Sequence, residues 1–134
     1  MNINTTFLLC FTLLCSCTTT KPLYPSLSVN PLDIIKSPQD IHINSMGVWH
    51  AFEGELGYIE LIDPQGERLA MGIMSAIGEW MTSGPAMYKT TLIFNPGNAT
   101  HGTLLVHNNP GGVAVMKPVK HYFLKFPFGL NPSA

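Results

Sequence analysis

Two apolar runs flank the tetrapeptide Asp63-Pro64-Gln65-Gly66, and this arrangement commits the region to strands joined by a tight turn. Asp63 suits the first position of a β-turn, Pro64 presets φ at the second, and Gly66 fits the fourth. Before the turn stands the Ile- and Leu-rich run from Gly57 to Asp63, and after it Leu69, Met71 and Ile73 recur at period two. Period two is the repeat of a strand, whose successive side chains leave on opposite faces. The stretch therefore predicts a β-hairpin.

The same texture continues along the chain. Ile41 and Ile43 alternate with the polar His42 and Asn44. Tyr88, Thr90, Leu92 and Phe94 form one inward-facing set, and Tyr122, Leu124, Phe126 and Phe128 another. Leu32 to Lys36 and Gly102 to Asn108 read as further short strands, and Asn95 to Asn98 fits a type II turn. No segment holds a 3.6-residue apolar period long enough for a helix. About seven short strands over roughly a hundred residues predict an all-β fold, an immunoglobulin-like antiparallel β-sandwich.

All three cysteines, Cys10, Cys15 and Cys17, precede that region. The sandwich is thus expected without an inter-sheet disulfide, held by apolar burial at about 25 cal/mol per Å². Phe7 to Cys17 is a short apolar segment ending in small residues, which resembles the h-region of a signal peptide. Leu14-Cys15-Ser16-Cys17 resembles the lipobox of bacterial lipoproteins, in which the last Cys becomes the lipidated first residue. An ordinary secretory signal and an uncleaved anchor are the other readings. Residues 18–31 are polar, Pro-bearing and aperiodic, and read as a tether. The expected organisation is a lipoprotein-type signal peptide over 1–17, the tether over 18–31 and the sandwich domain over 32–134. Thr18 and Thr19 do not resemble an acidic inner-membrane retention signal. The expected location is therefore the periplasmic face of an outer membrane where the host has one.

Composition narrows the function. Charged residues make up 11 % of the chain, the formal net charge is −1, and the seven Lys and Arg form no basic cluster. That argues against nucleic acid. Glu53 and Glu55 stand two apart beside Phe52, and in a strand they would share a face. A glycosidase pair needs its acids across a cleft instead. Both are read as lying where the chain enters the first hairpin strand, with Phe52 packed beneath the hairpin and Glu53 accepting backbone N–H bonds. The histidines, His42, His50, His101, His107 and His121, form neither H-x-x-x-H nor H-E-x-x-H, so no metal site and no cofactor are expected. Ser75 lacks the Gly-x-Ser-x-Gly elbow. Trp49, Phe52 and Trp80 fall outside the regular alternation. They either cap the core or, with Glu53, form a contact patch for a protein, peptide or glycan.

In order along the chain, Gly47 to Gly54, Leu61 to Gly72, Gly78 to Thr82, Leu92 to Pro96 and His107 to Gly112 resemble the immunoglobulin-like domain associated with bacterial spore germination proteins. That domain also occurs in envelope lipoproteins of bacteria that do not sporulate. The likeness spans roughly Pro31 to Phe128 and rests on turn and core signatures. It implies a binding or assembly module with no catalytic residues to carry over. The expected function is thus a non-enzymatic, lipid-anchored envelope module that binds or helps assemble another envelope component. It would be a monomer held to the membrane by its N-terminal lipid. The alternative is a small periplasmic inhibitor or ligand-binding lipoprotein acting through a protruding loop.

If Cys17 carries the lipid, radiolabelled palmitate enters the wild-type chain and not the Cys17→Ser variant. Equal labelling of the two would remove the anchor from this reading.

Overall fold

The computed structural model describes residues 24–109 and 120–127. Cys17, Phe128 and the loop residues from Pro110 to Gly112 lie outside them. Among the described residues, seven antiparallel strands form one curled sheet and there is no helix: β1 (Ser26–Leu27), β2 (Gln39–Asn44), β3 (Glu55–Ile62), β4 (Arg68–Ala76), β5 (Met87–Leu92), β6 (His101–Asn108) and β7 (Lys120–Lys125). Their spatial order is β1-β2-β5-β4-β3-β6-β7.

The expected alternation places most of the core. Ile41 and Ile43 of β2, Tyr88, Thr90 and Leu92 of β5, and Tyr122 and Leu124 of β7 all face inward and are buried. Ile59 and Leu61 of β3 meet Leu104 and Val106 of β6 on the same side of the sheet. Phe94 and Phe126 close one end of this core with ring centroids 5.4 Å apart. The Asp63–Gly66 turn forms as read: the Asp63 carboxylate accepts from the Gln65 and Glu67 amides, each at 2.9 Å.

Three expectations change. First, the sheet begins inside the stretch read as a tether. Ser26 and Leu27 pair with Asn44 and Ile43, Val29 is buried, and Tyr24 packs against the core. Pro and Ser density hid a two-residue strand too short to show any period. Second, Leu32 to Lys36 makes no strand of its own. Ile34 forms a single parallel bridge to Lys125 of β7, and Ile35 plugs the core. Third, of the period-two set Leu69, Met71 and Ile73, the last two face outward, 49 % and 45 % exposed, while Leu69, the extra residue of a β-bulge, packs against the core. The inward residues are Ala70, Gly72 and Met74, paired with Leu61, Ile59 and Gly57 of β3.

Packing explains the reversal in β4. The strand joins β5 only at Ser75↔Lys89 and Ala76↔Tyr88. Towards its start its inner face lies directly over β5 side chains. A Cβ at Gly72 would stand 2.1 Å from Thr90 Oγ1 and 3.1 Å from Leu92 Cδ2. Only a residue without a side chain fits beneath, so the larger apolar residues point away.

Gly72→Ala is therefore expected to destabilise the fold by about 1–3 kcal/mol, the usual cost of overpacking. Adding Thr90→Ala should recover part of that loss, because the two sites share one contact. Chemical denaturation of the single and double variants measures the coupling, and strict additivity would separate the two sites.

Candidate functional site

The loops β2–β3 (45–54) and β4–β5 (77–86) leave the sheet at the same end, and backbone chemistry locks them together. Ser45 is buried and sits at the joint. Its amide donates to the Ala86 carbonyl at 2.9 Å, and its hydroxyl accepts from the amides of Ala86 at 2.9 Å and Gly47 at 3.3 Å. The Ala76 amide donates to the Gly54 carbonyl at 2.8 Å. The β4–β5 loop is also pinned within itself. Ile77 N–H donates to Met87, Thr82 N–H to the Trp80 carbonyl, Met81 N–H to the Glu79 carboxylate and Gly84 N–H to the Thr82 hydroxyl.

Glu53 occupies an unexpected position. Phe52 and Glu55 exchange both backbone hydrogen bonds, at 2.9 and 3.0 Å, and Glu53 and Gly54 between them have φ of 52° and 79°. Two successive positive φ values mark a type I′ turn, a connection that favours Asn-Gly or Asp-Gly. Glu53 thus stands at the tip of a miniature hairpin and does not share a strand face with Glu55. The carboxylate is exposed and accepts no hydrogen bond among the described residues. The expected bonds to backbone N–H groups at the strand entry are not made, because the chain turns where entry to a strand was read. A non-glycine residue in this region costs about 1–2 kcal/mol, so the position is not optimised for stability.

The aromatic residues divide. Trp49 is 2 % exposed and meets Tyr24 edge-on, ring centroids 6.3 Å apart, so it belongs to the core and offers no ring to a partner. Phe52 is 48 % exposed, which corrects the expectation that it packs beneath the hairpin. Its carbonyl and amide are both consumed by the turn. Trp80 is half-buried, and its indole Nε1 lies 3.6 Å from where a Gly54 Cβ would be. Phe52, Glu53 and Trp80 are therefore gathered at one end of the molecule, and Trp49, from the same loop as Phe52, is buried there. Sequence reasoning passed over Met46, Ile77 and Met81, which the same two loops expose, Met81 to 75 %. Their signal was available: each is a large apolar residue in a stretch with no period to bury it.

Elsewhere, the outer face of β3 and β6 carries a Tyr58–His107 stack, centroids 4.3 Å apart and planes 10° off parallel. His107 Nε2 stands 3.6 Å from Glu60 Oε1 and makes no hydrogen bond. A hollow of about 280 Å³ lies beside it, lined by Glu55, Gly57, Tyr58, Met71, Ile73 and Asn109. Among the described residues no three His, Cys, Asp or Glu side chains gather closely enough to hold a metal. None forms a helix long and apolar enough to cross a membrane. No protein-family model, curated protein or solved structure matches the chain.

The division of roles is testable by thermal melting. Trp49→Ala should lower stability by about 3–5 kcal/mol, as for a buried aromatic. Phe52→Ala should cost less than about 1.5 kcal/mol, since half its surface already meets water. Glu53→Asn should raise the melting temperature, because Asn enters the positive-φ region more readily.

Proposed function

We propose that this chain is a non-enzymatic cell-envelope module, anchored by a lipid on Cys17, that uses its loop end to bind or help assemble another envelope component. One observation carries the reading. Two loops that could have been independent are tied through a buried Ser45, and they expose Phe52, Met81, Met46 and Ile77 beside the half-buried Trp80. Large apolar side chains held on a rigid support are what a partner surface requires, because little ordering remains to be done on binding. The tying of both loops favours assembly over inhibition. An inhibitor would act through a free-standing finger, and here the β4–β5 loop is joined to its neighbour.

We further read the curled sheet as an immunoglobulin-like sandwich akin to the domain associated with spore germination proteins. The path of the first segment supports this. It pairs antiparallel with β2 through β1, then crosses to run parallel with β7 at Ile34. On that reading β1, β2 and β5 form one layer and β3, β6 and β7 the other, with β4 passing between them.

The direction of chain entry adds a constraint on the partner. Ser26 pairs with Asn44, the last residue of β2, so the chain enters the sheet at the loop end. Residues 18–23 separate Cys17 from Tyr24, and six residues reach at most about 20 Å. A lipid at Cys17 would hold the loop end close to the membrane surface, and the partner would be found there.

A photo-crosslinking residue placed at position 52 or 81 in cells should give the same discrete adduct. One at position 65, in the turn at the opposite end, should give none. Adducts from all three positions, or from position 65 alone, would refute the loop end as the contact. An adduct with an enzyme whose activity falls as the chain is added would move the assignment to the inhibitor reading.

A further inference from the structure

We propose that the component met by the loop end is the phospholipid surface itself: the exposed apolar side chains of the two tied loops seat in the headgroup region of a zwitterionic bilayer. The inference deepens the proposed function and rests on its anchored reading. Two independent features of the molecule coincide in it.

The first is where the apolar surface lies. Met46, Phe52, Ile77, Met81 and Met87 are exposed. The first four belong to the tied loops, and Met87 opens β5 opposite Asn44, beside them. Trp80 stands half-buried among them. The turns at the far end, residues 63–66 and 95–98, expose no large apolar side chain. The molecule is therefore apolar at one end and polar at the other, the asymmetry of a protein that lies against an interface.

The second is where the chain arrives. β1 runs antiparallel to β2, so Tyr24, before Ser26, lies beyond Asn44 towards the loops, and its ring meets Trp49. At most about 20 Å of chain then separates this end from Cys17. An anchored chain holds its apolar end against the bilayer without a third molecule. The translational cost of association is already met, so even a weak intrinsic affinity suffices. Ser45 holds both loops in place, and little ordering is left to oppose insertion. Tyr24 adds an aromatic ring with a polar tip, the kind of side chain that collects at headgroup level.

Charge selects the lipid. Residues 45–54 and 77–86 carry Glu53 and Glu79 and neither Lys nor Arg. Both carboxylates belong to exposed residues. An anionic surface repels them, whereas the ammonium groups of phosphatidylethanolamine or phosphatidylcholine accommodate them. Lys120, whose Nζ stands 4.8 Å from the Tyr24 ring centre, brings a cation to the same end for the lipid phosphate.

The test uses the full-length chain in vesicles of phosphatidylethanolamine and phosphatidylcholine, with Cys10 and Cys15 replaced by Ser. A nitroxide is attached at Ser83→Cys, in the β4–β5 loop, or at Gln65→Cys, at the far end. The label at 83 should collide severalfold less with an aqueous nickel complex than the label at 65, and more with dissolved oxygen. Replacing Phe52 and Met81 together by Ser should return the label at 83 to water while the chain stays on the vesicles. Adding phosphatidylglycerol at low salt should shift it the same way. Equal nickel collision at both positions in vesicle-attached chains would overturn the proposal and leave the anchor standing. So would a photo-crosslink from position 52 to a protein with the label at 83 in water, which would return the loop end to a protein partner. Indifference to phosphatidylglycerol would overturn the choice of headgroup. A chain without palmitate at Cys17 that still buries the label at 83 would end the anchored reading and support the lipid surface as occupant.

Discussion

The whole sheet depends on how its two ends are brought together. Leu32 N–H donates to the Phe123 carbonyl at 2.6 Å, Ile35 N–H to the Lys125 carbonyl at 3.0 Å, and Lys125 N–H to the Asp33 carbonyl at 2.9 Å. These bonds fasten the segment between β1 and β2 along the outer edge of β7. One short stretch of chain is thereby attached at both ends of the strand order, through β1 at one and β7 at the other. The described residues hold no disulfide to do this. Closure by backbone bonds keeps Ile35, Ile41, Leu104 and Leu124 away from water. It also protects the β7 edge, which would otherwise be as open as that of β4.

Much of this was legible in the sequence, and the limits have physical causes. Strands β2, β5 and β7 are polar on one face and apolar on the other, so their pattern alone assigns the core. Strand β4 is apolar on both faces. There the larger residues, Met71 and Ile73, were read as the hairpin's apolar stripe, yet size decides the opposite way. The space above Thr90 admits only Gly72, and this is a property of two strands that are distant in sequence and meet only after folding. Strand β1 was invisible for a different reason. Two residues carry no period, and Ser26 and Leu27 become a strand only because β2 offers an edge.

The candidate site divides in the same way. Its membership was partly legible, since Trp49, Phe52 and Trp80 are aromatics without an alternating context, and the structure brings all three to one end. Which of them meets solvent was not. Burial of Trp49 depends on Tyr24, a residue placed in the tether. Exposure of Phe52 depends on the turn that follows it. The turn could have been suspected from Glu53-Gly54, which stands where Asp-Gly or Asn-Gly would be preferred. The longer acid at that position gives up stability and gains a carboxylate at the tip of the hairpin, an exchange common at surfaces kept for contact.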